Sequence, residues 1–334
     1  MNEQLSLFVD ENTLFNKALE RLLDMDFKGC MESLAHYARL YPWGRSIERE
    51  RDMCVFWLDC LGERPADEWG PEEAERRYRV WLKFEERFGY PWPDHEIEKH
   101  FGERYFSRIA KGLDGHAPGS PVRLPDGTPT GLIYLRGGAV AKAIASLQRL
   151  VAVDREDAGA YGYLGDAFAL SGDLTAARAC YLKAFAINSE EVDIHHLLDR
   201  EAKDRLGELD QDERAEGDPV GWFPSIAILE GFFEPVAAAD VDEVKTWRKR
   251  YERLLEAQAG NGDPSLIPRL FAHALILAEN GRTLGLTGDF DLIEVRRKMK
   301  AWRPDLFASY MARLEELETG PRKRTRSVAG AHSK

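Results

Sequence analysis

The sequence predicts an all-α protein of antiparallel helical hairpins, interrupted by one segment rich in glycine and proline. Three observations carry this expectation. Apolar residues recur at helical spacing through most of the 334 residues. Aspartates stand where the helical patterns begin and glycines where they stop. The connections between successive patterns are short, which makes neighbouring helices antiparallel. A hydrophobic content of 44% with 31% charged residues suits a soluble globular chain, and the length allows about two or three compact units.

Residues 1–11 read as a flexible N-terminal peptide, and 12–111 as an N-terminal helical unit built on "LFNKALERLLDM" and "FKGCMESLAHYARLYP". Trp43, Trp57, Trp69, Trp81 and Trp92 crowd this unit, and core packing is expected of them, with "YPWG" and "YPWP" capping helices. Residues 112–138 hold the glycines and prolines. Within them Val122–Leu124 and Leu132–Leu135 suit a small β-hairpin across an Asp126-Gly127 turn, so the segment reads as an ordered linker or flap. A second helical unit spans 139–205, an acidic linker 206–222, and a C-terminal helical bundle 223–318.

In the bundle, "DVDEVKTWRKRYERLLEAQAG" has Asp240 as cap, acids in its first turn and Gly260 as stop. "DPSLIPRLFAHALILAENG" repeats the scheme with Asp263, Pro264 at the first helical position and Gly281 as stop. "DFDLIEVRRKMKAW" and "RPDLFASYMARLEELE" follow. The tail, 319–334, lacks apolar mass and is expected to be disordered.

The stretch "AGAYGYLGDAFALSGDLTAARACYLKAFAINSE" resembles one tetratricopeptide (TPR) unit. Tyr161, Leu164, Gly165, Phe168, Gly172, Ala177, Tyr181 and Ala184 take its positions, and Ser189 stands in place of the terminal proline. Small residues at 165 and 177 would let the two helices of a repeat cross. About 34 residues earlier, Ala143, Leu147 and Leu150 match a second helix whose partner would fall in the Gly/Pro segment. Cys30, Leu34 and Pro42 match another, more loosely. The resemblance implies an α-solenoid of stacked hairpins that binds peptides or protein surfaces, with no catalysis.

Chemistry-bearing motifs are few. "HEIEKH" places His95 and His100 five apart, which separates them around a helix, and Glu96 with His100 makes only two ligands. His195 and His196 are adjacent and point differently, one expected half-buried and one solvated. There is no P-loop, nucleophile elbow or dinucleotide fingerprint, and "LRGG" is too short for a phosphate loop. Cys30 and Cys180 fall at packing positions, and with Cys54 and Cys60 they form no C-x-x-C pair. No catalytic residue, metal site or cofactor is expected. The chain has no apolar run long enough for a membrane span and no secretory pattern, so a cytoplasmic protein with reduced thiols is expected.

The formal net charge of −12 argues against a surface devoted to nucleic acid. From Asp240 onward, however, 18 Lys and Arg face 14 Asp and Glu. Two basic clusters there, around Arg248, Lys249 and Arg250 and around Arg296, Arg297 and Lys298, interleave with aromatics. With Arg322, Lys323 and Arg324 they could track a phosphate backbone, or they are solvated helix faces answered by acids one turn away.

The first residues raise the sharpest question. Gln4-Leu5-Ser6-Leu7-Phe8 resembles, without departure, the short peptide by which bacterial replication and repair proteins hold the DNA sliding clamp. The resemblance implies that Gln4 hydrogen-bonds at the mouth of a pocket, Leu5 and Ser6 run extended, and Leu7 with Phe8 fill it. The other reading is a lid: Asn12 caps a helix beginning near Thr13, and Phe8 or Val9 folds back onto Leu14 or Phe15. The sequence therefore points to a non-enzymatic adaptor for another protein, with a clamp-tethered DNA-maintenance or mobile-element factor as the alternative.

Overall fold

The computed structural model describes residues 2–61, 70–89, 96–114, 122–235, 241–281 and 290–319, without the side chains of 2–10, 96–99, 261 and 317–319. Trp69, Trp92, His95, Asp240 and the basic tail lie outside the described residues. Among those described, the chain is all-helical and without strands, and successive helices pack in neighbouring pairs, an all-α arrangement of the helical-repeat kind. It divides into two compact units, Met1–Ala177 and Arg178–Lys334.

The first unit contains α1 (Asn2–Leu23), α2 (Phe27–Leu40), α3 (Glu48–Cys60), α4 (Pro71–Phe88), α5 (Glu96–Asp114), α6 (Thr130–Arg136), α7 (Val140–Val153) and α8 (Ala158–Ser171). Each packs on the next, and α1 also packs on α5. Aspartates cap here: Asp26 accepts from Gly29 N–H at the start of α2, and Asp157 from Ala160 N–H at the start of α8. Gly89 and Gly172 end α4 and α8 in the left-handed region, at φ 67° and 84°. The core is aromatic. Phe56, Trp57, Trp81, Phe84, Phe101, Tyr105 and Phe106 from α3, α4 and α5 are all buried, and their rings touch in tilted and edge-on pairs.

The expected β-hairpin is not formed. The Asp126-Gly127 turn is present, with Gly127 at φ 89°, but a single antiparallel bridge, Arg123 to Pro129, follows from it. Leu132–Leu135 lies in α6, with all four residues buried. An unbroken apolar run lacks the alternation that separates strand from helix, and tertiary burial decided it. Nor does α6 form a flap, since it packs on both α5 and α7. Gly131 makes the close approach to α7 possible: a Cβ there would lie 2.4 Å from Leu147 Cγ. Ala143, Leu147 and Leu150 are buried on the face of α7 that the repeat spacing assigned to packing.

Helix α9 (Leu174–Asn188) carries the division between the units. The second unit continues with α10 (Arg200–Glu208), α11 (Pro219–Leu229), α12 (Val241–Asn261), α13 (Ile267–Glu279), α14 (Leu292–Trp302) and α15 (Pro304–Thr319). Its centre is α13, whose residues Leu270 to Ala278 are all buried, with α11, α12 and α14 against it. The acidic stretch 206–222 is folded into this unit through short 3₁₀ turns, with Leu206, Leu209, Ala215 and Trp222 buried. Two helix stops shift from their expected places. Gly260 stays helical and the left-handed residue is Gly262 at φ 63°, while α13 ends at Asn280 rather than Gly281. Asp263 caps as expected, accepting from Ser265 N–H, and Asp291 caps α14, accepting from Ile293 and Glu294 N–H.

Candidate functional site

Gln4, Leu5, Ser6, Leu7 and Phe8 occupy the first turns of α1, which runs unbroken from Asn2. Their side chains lie outside the described residues. The helix therefore begins well before Thr13, and Asn12 is no cap. Nothing between Asn2 and Leu23 is a glycine or proline that would stop the helix. Asn12 instead accepts from Arg45 Nη2 at 3.2 Å.

That contact belongs to a lock between α1 and the loop after α2. Tyr37 is fully buried, and its hydroxyl donates to Glu11 Oε1 at 2.7 Å while accepting Arg45 N–H at 2.8 Å. Burial, and then the bond to Glu11, push the Tyr37 phenol above its ordinary value, so it stays a donor at neutral pH. The Arg45 guanidinium covers the Phe15 ring at 5.5 Å. A Cβ at Gly44 would meet the Tyr37 hydroxyl at 2.5 Å, which fixes glycine there. Between these anchors Trp43 stands 97% exposed, beside Leu40 at 53%. The core role expected of it fails: the loop tucks Tyr41 onto Tyr37 and turns Trp43 outward. Trp57 and Trp81, by contrast, are core.

The basic clusters are largely answered by neighbours. Arg248 Nε donates to Glu252 Oε1 at 2.8 Å, one helical turn on. Arg250 is 7% exposed and lies over Trp247 at 4.8 Å. Arg296 donates to the Tyr310 hydroxyl at 3.0 Å. Glu294 pairs with both Arg297 and Lys298, and the Arg297 hydrogen bond is the main cause that holds its carboxyl below the usual range. Lys249 is exposed. Arg322, Lys323 and Arg324 lie outside the described residues.

The histidine motifs do not converge. His100 is exposed and lies 3.6 Å from Glu103, on its own helix. His195 and His196 are both exposed, so neither is half-buried as expected; a 3₁₀ turn keeps both at the surface, and His196 faces Asp193 at 2.9 Å. Among the described residues no three His, Cys, Asp or Glu side chains group as metal ligands. Arg136 of "LRGG" pairs with Glu85 at 3.1 Å and lies over Tyr78 and Phe106, a packing role. Cys30 is buried as its packing position required, whereas Cys180 is only half-buried.

Three features escaped the sequence. His273 is completely buried on α13 and donates from Nδ1 to Arg269 O at 2.8 Å, leaving Nε2 without a partner. Burial drives its pKa down to about 3, so it is neutral. The second is a hollow of about 420 Å³ lined by Leu209, Asp210, Asp212, Glu213, Glu216 and Pro219. Its acids would repel a phosphate backbone, and Asp212 is held by Arg214 at 2.6 Å. The third joins Arg178 and Arg205, whose guanidiniums lie 4.3 and 4.8 Å from the Phe232 ring and share Glu201. The amphipathic pattern marks none of these: His273 lies among the buried residues of α13, and the other two draw on separate elements. No protein family, curated protein or solved structure matches the chain.

Proposed function

We propose that the chain is a non-enzymatic adaptor that binds another protein through the surface of its TPR-like helical hairpins. The observation that carries this reading is Trp43. A tryptophan removed from water contributes more than any other side chain to a protein interface, and such anchors are effective when held rigidly. Trp43 is almost wholly exposed on a loop fixed from both sides by Tyr37, Glu11 and Arg45. The ordering that a free loop would lose on binding is thus already largely lost in the fold. Affinity capture with tagged parent and Trp43→Ala, at equal folded concentration, tests it. A partner held by the parent and weakened at least tenfold by the substitution, at unchanged melting temperature, is expected; equal recovery would remove Trp43 and this reading with it.

The second reading, a factor tethered to the DNA sliding clamp with a basic C-terminal part on nucleic acid, is favoured by the pentapeptide Gln4–Phe8. Leu7 and Phe8 would supply the energy, each worth about 1.5–3 kcal/mol when fully removed from water. Ordering an extended peptide, here also unwinding the first turns of α1, offsets much of this and leaves a dissociation constant on the order of micromolar. Titrating a bacterial sliding clamp into the parent and into the Leu7→Ala, Phe8→Ala double variant is the test. Loss of binding with stability unchanged supports the tether. A stability loss above about 2 kcal/mol, with no clamp binding to lose, would make the segment a structural lid.

A further inference from the structure

We propose that the first turns of α1 regulate the Trp43 anchor: the loop that presents Trp43 keeps its direction only while α1 is helical through Glu11 and Asn12, and unwinding the residues before them releases it. The regulation rests on Trp43 being an interface anchor; the coupling itself is a property of the fold. The turn that carries Trp43 is closed by its own backbone, Gly44 N–H donating to Tyr41 O at 2.9 Å, so its shape is local. Its direction is not. Arg45 ties the far side of the turn to the body. Its N–H donates to the Tyr37 hydroxyl at 2.8 Å, its Nη2 donates to Asn12 Oδ1 at 3.2 Å, and its guanidinium lies over Phe15. The Tyr37 hydroxyl in turn donates to Glu11 Oε1 at 2.7 Å. Glu11, Asn12 and Phe15 are all on α1.

What places Glu11 and Asn12 is helix continuity rather than burial. Phe15 is 5% exposed and meets Tyr37 edge-on at 5.3 Å, so α1 is seated from there onward. Glu11 is only half-buried, and Asn12 and Thr13 are exposed. In an α-helix each N–H donates to the carbonyl four residues earlier, so the backbone of Glu11 and Asn12 depends on Leu7 and Phe8. Drawing residues 4–8 into an extended strand removes both bonds. Glu11 then leaves the Tyr37 hydroxyl, Asn12 leaves Arg45, and the turn is no longer aimed. A protein that binds through Trp43 must then order the loop itself, and its affinity falls. Linkage makes the coupling reciprocal. A protein seated on Trp43 stabilises the helix through residues 4–12, and one that extends residues 4–8 weakens the hold on Trp43.

The test is hydrogen–deuterium exchange of the full chain, resolved to residues 43–46. Thr13→Pro removes the N–H that continues the helix and drives Asn12 out of helical backbone, so that α1 begins at residue 13 and Phe15 keeps its seat. Exchange at 43–46 should rise by about tenfold or more, while the segments holding Trp57 and Trp81 exchange as in the parent. Glu11→Ala with Asn12→Ala keeps the helix and deletes only the two side-chain contacts; it should give the same rise, and it carries the test if the proline variant fails to fold. Parent-like exchange at 43–46 in the folded variants would overturn the coupling and leave Trp43 an anchor independent of α1. In affinity capture, a partner that the parent holds through Trp43 should be held about tenfold or more weakly by the double-alanine variant. Faster exchange with equal recovery by parent and Trp43→Ala would overturn the regulation through its anchor, with the coupling intact.

Discussion

Substituting Gly131 by alanine tests the close crossing of α6 and α7. The added Cβ would lie 2.4 Å from Leu147 Cγ, 2.9 Å from Cδ2 and 3.1 Å from Cδ1. Leu147 is fully buried and cannot swing into solvent, so α6 must move away or Leu147 must leave its rotamer. Such overpacking costs about 1–3 kcal/mol. Alanine also favours a helix over glycine by about 1 kcal/mol, which offsets part of that. Gly260, near the end of α12, isolates the offset, because a Cβ there meets nothing within 4 Å. Gly260→Ala should therefore stabilise slightly, Gly131→Ala should be neutral to destabilising by about 2 kcal/mol, and the gap between them should be about 1–3 kcal/mol. Urea titrations followed by far-ultraviolet circular dichroism and by tryptophan emission would measure both. If the two substitutions raise stability equally, α6 and α7 cross more loosely than these distances require and the reasoning fails.

Three further outcomes are expected. Gly165→Leu, at a buried position of α8, should overpack and lower stability by roughly 1–3 kcal/mol; a variant that melts like the parent would undo the TPR alignment. His273, held neutral in the fold and titrating from 6.5 when unfolded, should withdraw stability as pH falls below 6.5 toward its folded value of about 3. By about pH 4.5 the withdrawal amounts to roughly 2–3 kcal/mol, and His273→Leu should flatten that limb in a stability–pH series; an identical limb would place the acid sensitivity elsewhere. If the basic clusters track phosphates, the full chain should bind single- or double-stranded nucleic acid with an affinity that falls steeply with salt, and Lys249→Glu should weaken it; no binding at low salt leaves the clusters as solvated faces.

The elements were legible where one helix carried its own signals. Asp263 is a cap because a short carboxylate followed by a periodic apolar run satisfies orphan N–H groups, a purely local matter, and Asp26, Asp157 and Asp291 follow the same rule. The packing faces of α7, α8 and α9 were legible for a similar reason: Ala143, Leu147, Leu150, Gly165 and Ala177 are buried, as the repeat resemblance implied. Leu132–Leu135 was misread because a continuous apolar run carries no period, and only the partner helix α7 decides its form. Trp43 was misread because a tryptophan's bulk predicts burial, whereas its neighbours Gly44 and Arg45, locked to Tyr37, dictate the direction of the loop. The basic clusters showed their charge and, through acids one turn away such as Glu252, the possibility of its neutralisation, but not its full extent. Part of it comes from Glu252 and Glu294 and from Trp247, each about one helical turn from its partner, and part from Tyr310, which the packing of the following helix brings to Arg296.

The packing of α1 on α5 has a consequence in time. In the first unit the other principal pairings join helices that are neighbours or next neighbours in the chain. Such contacts close short loops at little entropic cost and assemble early. Asp24, at the end of α1, waits for Arg104, 80 residues away, which donates to it at 2.7 Å from α5, while Arg108 reaches the Asp24 carbonyl. Closing that ring costs more loop entropy than any neighbour pairing, so it is expected to come after the intervening helices. Contacts that close last are absent from the folding barrier, so these are expected to slow the escape of the finished unit rather than hasten its arrival.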